Sequence, residues 1–550
     1  MSGARTPRRP ARGRAGAALR ANAWTGAALV LAGLLAAPVL VVLSRVARDS
    51  DGVWEHLLET VLADYLANTV LLVVGVGLGA TVIGVGAAWL VTMCSFPGRR
   101  VMTWALLLPL AMPTYLMAYT YTDLLQFSGP VRTALRGSFL GDGWFPEVRS
   151  LGGAIATFSL VLYPYVYLLV RAAFLSQSLC VLEVSRTLGH GPWRTFWTVA
   201  LPLARPATAA GASLVLMETV AEYGAVDYFA VDTFTTGIYR TWTSLASPEA
   251  AAQLAAALVA VVFVLLTLER FARGRSRYDP TTNRQRAPRP PRLTGWRSAA
   301  ALTACALPVT LGFLVPAGAL IRLALGAKHS LGASGLLELT GNTVLLAVLT
   351  SALVVGLGLL VAYGARVDGG RTVRVAARVV SLGYAVPGSV VAIGTLVALS
   401  GLTKLTGLFA GGTIAALVYA YSVRFGAVSV QAIDAGLQKV GPSMDDAGRT
   451  LGATRGGVLR RVHVPLLRGS LLTAALLVFV DVMKELPATM IMRPFDFDTL
   501  AVRVHRYASD ERLAQSALPA LLIVVAGLAP VVLLSRAIDR NAPAASEGRS

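Results

Sequence analysis

Residues 183–202 read EVSRTLGHGPWRTFWTVALP and residues 446–465 read DAGRTLGATRGGVLRRVHVP, so Gly189 and Gly452, and then Pro202 and Pro465, recur at the same offsets. These polar stretches interrupt a chain of 550 residues that is 55% hydrophobic, 14% charged and of mean hydropathy +0.64. A soluble domain carries roughly 25% charged residues, so this composition is that of a membrane protein. Backbone groups in hydrocarbon must be satisfied within the spanning structure, and the apolar runs here reach the ~20 residues that a helix needs to cross. The expected fold is all-α and polytopic. About twelve transmembrane helices are expected near 24–46, 66–94, 102–127, 151–176, 207–231, 250–268, 297–324, 342–364, 376–402, 411–433, 470–492 and 516–538.

The chain repeats itself. NTVLLVVGVGLGATVIGVGAAWLV from Asn68 matches NTVLLAVLTSALVVGLGLLVAYGA from Asn342 at an offset of 274, which Pro113 and Pro387 keep. From Gly189 to Gly452 the offset is 263, so the second half is 11 residues shorter between its third and fourth spans, in an external loop. This gives a basic tail (1–23), a first repeat (24–268), an Arg- and Pro-rich linker (269–296), a second repeat (297–538) and a second tail (539–550). Six spans separate the two polar stretches, and an even number returns the chain to the same side. The repeats of six therefore run parallel, about a pseudo-twofold along the membrane normal, which places one pathway between them.

Charge sets sidedness. The loops on the side of the N-terminus hold roughly three times the Lys and Arg of the opposite loops, which puts both termini and both polar stretches in the cytoplasm. The net charge of +20 is thus mostly topology, dispersed over loops, and not the basic stacking groove of a nucleic-acid binder. The first apolar run, around 20 residues long, exceeds a signal-peptide core and reads as a retained anchor. Cys94, Cys180 and Cys305 lie singly in or beside apolar segments, and the five histidines have no zinc-binding spacing, so neither a metalloenzyme nor a disulfide scaffold is expected.

Each polar stretch reads as a helix, a turn at its glycine and a second short helix ended by its proline, a bracket able to fill a groove on a partner. The spacing Glu183, Val184, Ser185, Gly189, Val199, Ala200, Leu201, Pro202 resembles the EAA loop of ABC importer permeases. Asp446, Ala447, Gly448, Gly452, Val462, Val464 and Pro465 form the second copy, with Val184 and Ser185 departing from the small pair and Asp446 shortening the acid. The resemblance covers both halves and implies an inner-membrane permease of the type I importer fold. It further implies two coupling loops (Glu183, Gly189, Pro202 and Asp446, Gly452, Pro465), one for each of two ABC ATPase subunits, and an extracytoplasmic substrate-binding protein. Since GxxxxGK[ST] is absent, no cofactor is expected on this chain, and ATP would be used by the partner. No enzymatic activity is expected.

Segments 96–100, 108–125, 221–242 and 484–513 are similar to those of ferric-iron importer permeases, whose scaffold the thiamine, polyamine and phosphonate permeases share. Glu218 and Glu222, one turn apart in the fifth span, should face the bundle interior, as should their repeat mates Asp481 and Glu485 beside Lys484. These residues and Asp227 are the candidate gate or pathway, although a charge pair that only holds the eleventh span is a competing reading. For a hard ferric ion, Glu222, Asp227, Asp232 and the Tyr163, Tyr165, Tyr167 series could offer transient oxygen ligands, with no tight metal site expected. A secondary transporter of 6+6 architecture is the alternative, and it leaves the twin brackets unexplained.

Overall fold

The computed structural model describes residues 23–135, 147–176, 185, 191–273, 292–326, 332–368, 370–407 and 411–541. Among them the structure is helical, with no strand beyond one isolated bridge between Ser95 and Arg292. Ten described helices are long and apolar enough to cross a membrane. Two bent pairs, Arg99–Ala111 with Thr114–Ala134 (92°) and Arg455–Leu466 with Arg468–Met483 (77°), bring the number to twelve if each is one span. The chain is thus the all-α polytopic protein its composition requires.

The repeat is visible in atomic detail. Asn68 Nδ2 donates to the Asp232 carbonyl at 2.9 Å, and Asn342 Nδ2 donates to the Asp498 carbonyl at 3.2 Å. The next residues, Thr69 and Thr343, each accept a backbone N–H through their hydroxyls, from Phe234 and Leu500. Pro113 and Pro387 both adopt extended geometry (ψ 142° and 144°) between a 3₁₀ turn and the helix that follows. Proline fixes φ and has no N–H to lose, which suits it to such a junction.

Within each half, two helices cross at a glycine because only a bare backbone lets them approach. A Cβ on Gly84 of Leu62–Met93 would lie 2.7 Å from Val166 Cβ and 2.8 Å from the Tyr163 carbonyl of Leu151–Ser176. Its mate Gly358 meets Ser429, the mate of Val166, in the same way, at 2.9 Å from its Cβ. Each repeat also lays its first helix on the other. Ala23–Ser44 packs on Gly388–Thr406, with Tyr419 Oη donating to the Leu34 carbonyl at 2.6 Å. Conversely, a Cβ on Gly312 would lie 2.7 Å from the Leu160 carbonyl, and Tyr121 Oη donates to the Leu311 carbonyl at 2.6 Å. Cys94 and Cys305 are buried in the apolar core, whereas Cys180 lies outside the described residues.

Three expectations are corrected. The fifth span does not run through to 231, since Leu201–Ala221 stops and Glu222 is extended (ψ 137°). Likewise Arg468–Met483 stops before Pro487–Met492, so the eleventh span is not continuous to 492. The third concerns Pro202, which does not end the bracket's second helix. A π turn at Phe196–Ala200 precedes it, and the helix runs on into Leu201–Ala221. The wider turn already drops the usual hydrogen-bond register, which is how a helix accommodates a residue without N–H. The second half repeats the π turn at Leu459–His463, but there Pro465 is followed by the 77° bend at Leu467.

The crossing predicts a contrast between two nearby glycines. Gly84→Leu should destabilise the folded chain by about 1–3 kcal/mol through overpacking. Gly86→Leu, where no atom lies within 4 Å of the built Cβ, should leave it unchanged. Thermal unfolding in detergent distinguishes the two, and equal melting temperatures would contradict the crossing.

Candidate functional site

Four helix ends and breaks converge on a cavity of about 90 Å³ between the two halves. It is lined by Glu218, Glu222, Thr114, Tyr115 and Tyr165 from the first repeat and by Tyr384, Arg424, Asp481, Lys484 and Glu485 from the second. Five of the six residues expected to form a gate or pathway are therefore brought together. Asp227 is not among them. It sits in the short helix Gly224–Tyr228 and faces His505 Nε2 at 3.7 Å.

The two breaks are built alike. In the first repeat the Glu222 carboxylate accepts the backbone N–H of Ala225 at 3.1 Å and the hydroxyl of Thr114 at 2.6 Å. In the second, Glu485 accepts the N–H groups of Ala488 and Thr489 at 3.0 and 3.1 Å and the Thr489 hydroxyl at 2.7 Å. Each carboxylate thus caps the helix that restarts after the break, satisfying amides that the interrupted helix releases. Gly224 stands beside Leu486 and Tyr115 with no room for a Cβ, so the two breaks touch.

The charges, however, are matched unequally. Arg424 Nη1 lies 2.9 Å from Glu485, and Lys484 Nζ lies 2.9 Å from Asp481. Their mates Glu222 and Glu218 have no cationic side chain within 4 Å among the described residues. Glu218 instead accepts a short hydrogen bond from Tyr384, across the line between the halves. Arg424, Tyr384 and Thr114 were not singled out from the sequence. Arg424 is the one cation in the largely apolar helix Ile414–Leu437, and a lone intramembrane cation was the signal that could have found it.

The other proposed oxygen ligands are dispersed. Tyr163 and Tyr167 are fully buried, and Tyr167 donates to the Thr103 carbonyl. Asp232 pairs with Arg240 at 2.5 Å on an exposed face. Among the described residues no three His, Cys, Asp or Glu side chains are grouped to hold a metal ion. On the outer side of the breaks, Tyr119 Oη and His505 Nδ1 are 2.6 Å apart, a further contact between the halves that spacing does not reveal.

Of the brackets, Glu183 and Gly189 lie outside the described residues. Gly452 has φ +82°, a left-handed conformation that closes the helix Pro442–Thr450 with its N–H bonded to the Arg449 carbonyl. Asp446 is exposed, and its neighbour Asp445 anchors this bracket. Asp445 accepts from Arg366 Nη2 at 2.7 Å and pairs with the fully buried His463 at 2.5 Å. Arg366 also donates to the carbonyls of Leu437 and Val440, tying the bracket to the end of the preceding span. Burial alone would raise the Asp445 carboxyl, but the bonds from His463 and Arg366 outweigh it and hold it below the ordinary carboxylate value.

Two outcomes follow. Arg424→Met should cost about 3–5 kcal/mol by leaving Glu485 buried and unmatched. The double variant R424M/E485Q should recover much of that loss in detergent unfolding, and a double variant no better than the single would remove the pair from the account. For Asp445 a lowered folded pKa means that its stabilisation is complete above the unfolded value near ~4 and is lost as pH falls through the folded value. Amide protection factors within Pro442–Thr450 should therefore fall on acidification, whereas in Asp445→Asn they should be low at every pH.

Comparison with known proteins agrees with this architecture. The family described as "Binding-protein-dependent transport system inner membrane component" matches the chain twice, at residues 80–272 and 354–542. The chain is 27% identical over 520 residues to the Fe(3+)-transport system permease protein FbpB 2 of Haemophilus influenzae, covering 93% of this chain and 98% of that one. It is 30% identical over 151 residues to the molybdenum transport system permease protein ModB of Escherichia coli (26% of this chain, 62% of that one). With a probable sulfate transport system permease protein, cysT of Chlorokybus atmophyticus, it shares 28% over 192 residues (34% and 65%). A duplicated helical unit with paired breaks, matched twice by one family, makes the chain a member of the binding-protein-dependent inner-membrane transport components, and so the multi-pass permease of an ABC importer that works with an ATPase and a substrate-binding protein.

Proposed function

We propose that this permease carries ferric iron, received from an extracytoplasmic binding protein, with two ATPase subunits docked on the brackets around Gly189 and Gly452. The observation that carries the substrate is coverage. The likeness to the Fe(3+) permease runs through both repeats over nearly the whole of both proteins, whereas the molybdenum and sulfate relatives match about a third of this chain or less. Both termini face the cytoplasm in this reading, on the side of the brackets and the basic loops. The permease binds no cofactor of its own, and ATP is hydrolysed by the partner.

The brackets supply the mechanical link. Each leads through a π turn directly into the helix that ends at a break, Phe196–Ala200 into Leu201–Ala221 and Leu459–His463 towards Arg468–Met483. Closure of the ATPases on ATP acts on these stiff levers, and the arrangement of Glu218, Glu222, Asp481, Lys484 and Glu485 at their far ends differs between the inward and outward states. Glu183, Pro202, Asp446 and Pro465 frame the docking surfaces, and Asp445 holds the second in place.

The reconstituted transporter in proteoliposomes tests this reading. ATP-dependent uptake of ferric iron and no uptake of molybdate are expected, and the reverse would overturn the substrate assignment. Gly452→Val strains a left-handed residue by about 1–2 kcal/mol and places bulk on the docking face. It should leave insertion intact while uptake falls about tenfold or more. Gly456→Ala, in open space, should leave uptake unchanged.

A further inference from the structure

The unequal matching of charge in the central cavity has a chemical meaning. Four carboxylates line it against two cations. The second repeat pairs each of its acids at 2.9 Å, Glu485 with Arg424 and Asp481 with Lys484. The first repeat gives Glu218 and Glu222 hydroxyl and amide donors, and among the described residues no cation lies within 4 Å of either, so two of the four negative charges have no cation of their own. Two unmatched carboxylates in a low-dielectric site are costly, and a site that keeps them leaves a negative field which an entering ion of opposite sign relieves.

A second observation points to a ligand in the same place. Tyr115 lines this cavity, is 3% exposed, and its hydroxyl has no hydrogen-bond partner among the described residues. Most buried hydroxyls are satisfied, so an unsatisfied one on a residue that lines a cavity has hydrogen-bonding capacity that an occupant can use. Tyr165 and Tyr384 add phenolic oxygens to the same wall. The acceptors on this wall are oxygens, and the four carboxylates exceed Arg424 and Lys484 by two charges, which suits a hard, highly charged cation better than an oxyanion. Too few acidic groups converge to make a tight site, as passage requires.

We propose that Glu218 and Glu222, with the hydroxyls of Tyr115, Tyr165 and Tyr384, form a transient oxygen-donor site for a hard trivalent cation. The salt-bridged Asp481 and Glu485 are its structural frame. This deepens the ferric-iron reading by naming the residues that select cation over oxyanion. It rests on that reading only for the identity of the cargo, since the site itself can be tested with another ion.

Terbium(III) is a hard trivalent ion whose emission is sensitised by nearby tyrosine. Titrated into the full-length chain in nanodiscs of neutral lipid, it should give tyrosine-sensitised emission that falls about fivefold or more in E218Q/E222Q, because a neutral amide cannot replace a carboxylate in such a donor set. Asp227→Asn, outside the cavity, should keep the emission, and Tyr384→Phe, which conserves the ring, should lower it in part. Unchanged emission in E218Q/E222Q overturns the site. Circular dichroism and monodisperse elution serve as the check on fold, which the double variant should pass because a glutamine oxygen still accepts the cap hydrogen bond from Ala225, while ferric uptake is lost. Molybdate uptake by the native transporter would instead overturn the cargo reading and leave the terbium result standing on its own.

Discussion

A helix that stops inside a membrane releases backbone amides where no water can receive them, and here a carboxylate receives them in each half. Glu222 and Glu485 sit at the same position of the duplicated unit, and each bonds the amide three residues on. The break cannot exist without such a cap, because an unsatisfied amide in hydrocarbon costs several kcal/mol. The cap in turn brings a negative charge to the centre of the protein, which must then be matched, solvated or used. Arg424 matches it in the second half, and in the first half it remains open to the cavity. Span geometry, cavity and charge are consequences of one arrangement.

Much of the fold was legible because duplication writes itself as an offset. Asn68 and Asn342 hold equivalent carbonyls, and Pro113 and Pro387 open equivalent helices. Hydropathy marked where apolar helices lie, but it is blind to interruptions made by polar caps within an apolar run. The stops at Ala221 and Met483 were read through for that reason. The exchange of first helices between repeats was also illegible, since Gly312 and Leu34 announce no partner until the two halves are folded together.

The site was partly legible for a related reason. Acids at membrane depth are costly enough to stand out, so Glu218, Glu222, Asp481 and Glu485 could be named from the chain alone. Their partners could not. Tyr384 and Thr114 are ordinary residues in apolar surroundings, and only the approach of separate helices brings them to Glu218 and Glu222. Family spacing marks Asp446, whereas nothing in the sequence marks Asp445 as the acid that holds the bracket. The deciding quantity was which carboxylate reaches Arg366 and His463, and that is a matter of three dimensions.

The two brackets, though equivalent in position, are held by different forces. The residues at the positions of Arg366, Asp445 and His463 in the first repeat are Thr92, Leu182 and Ala200, which cannot form an ion pair. Where the second repeat has Tyr363 against His463 at 5.3 Å, the first has Trp89 against Phe174 at 5.7 Å and Phe196 at 4.9 Å, with Trp193 stacked on Phe196 at 5.6 Å. Aromatic packing is insensitive to pH and salt, whereas the Arg366–Asp445–His463 cluster answers to both. The described contacts of the first bracket are therefore indifferent to pH and salt, and those of the second are not. The second repeat, whose lever also bends by 77° after Pro465, is therefore the one whose bracket changes with solution conditions.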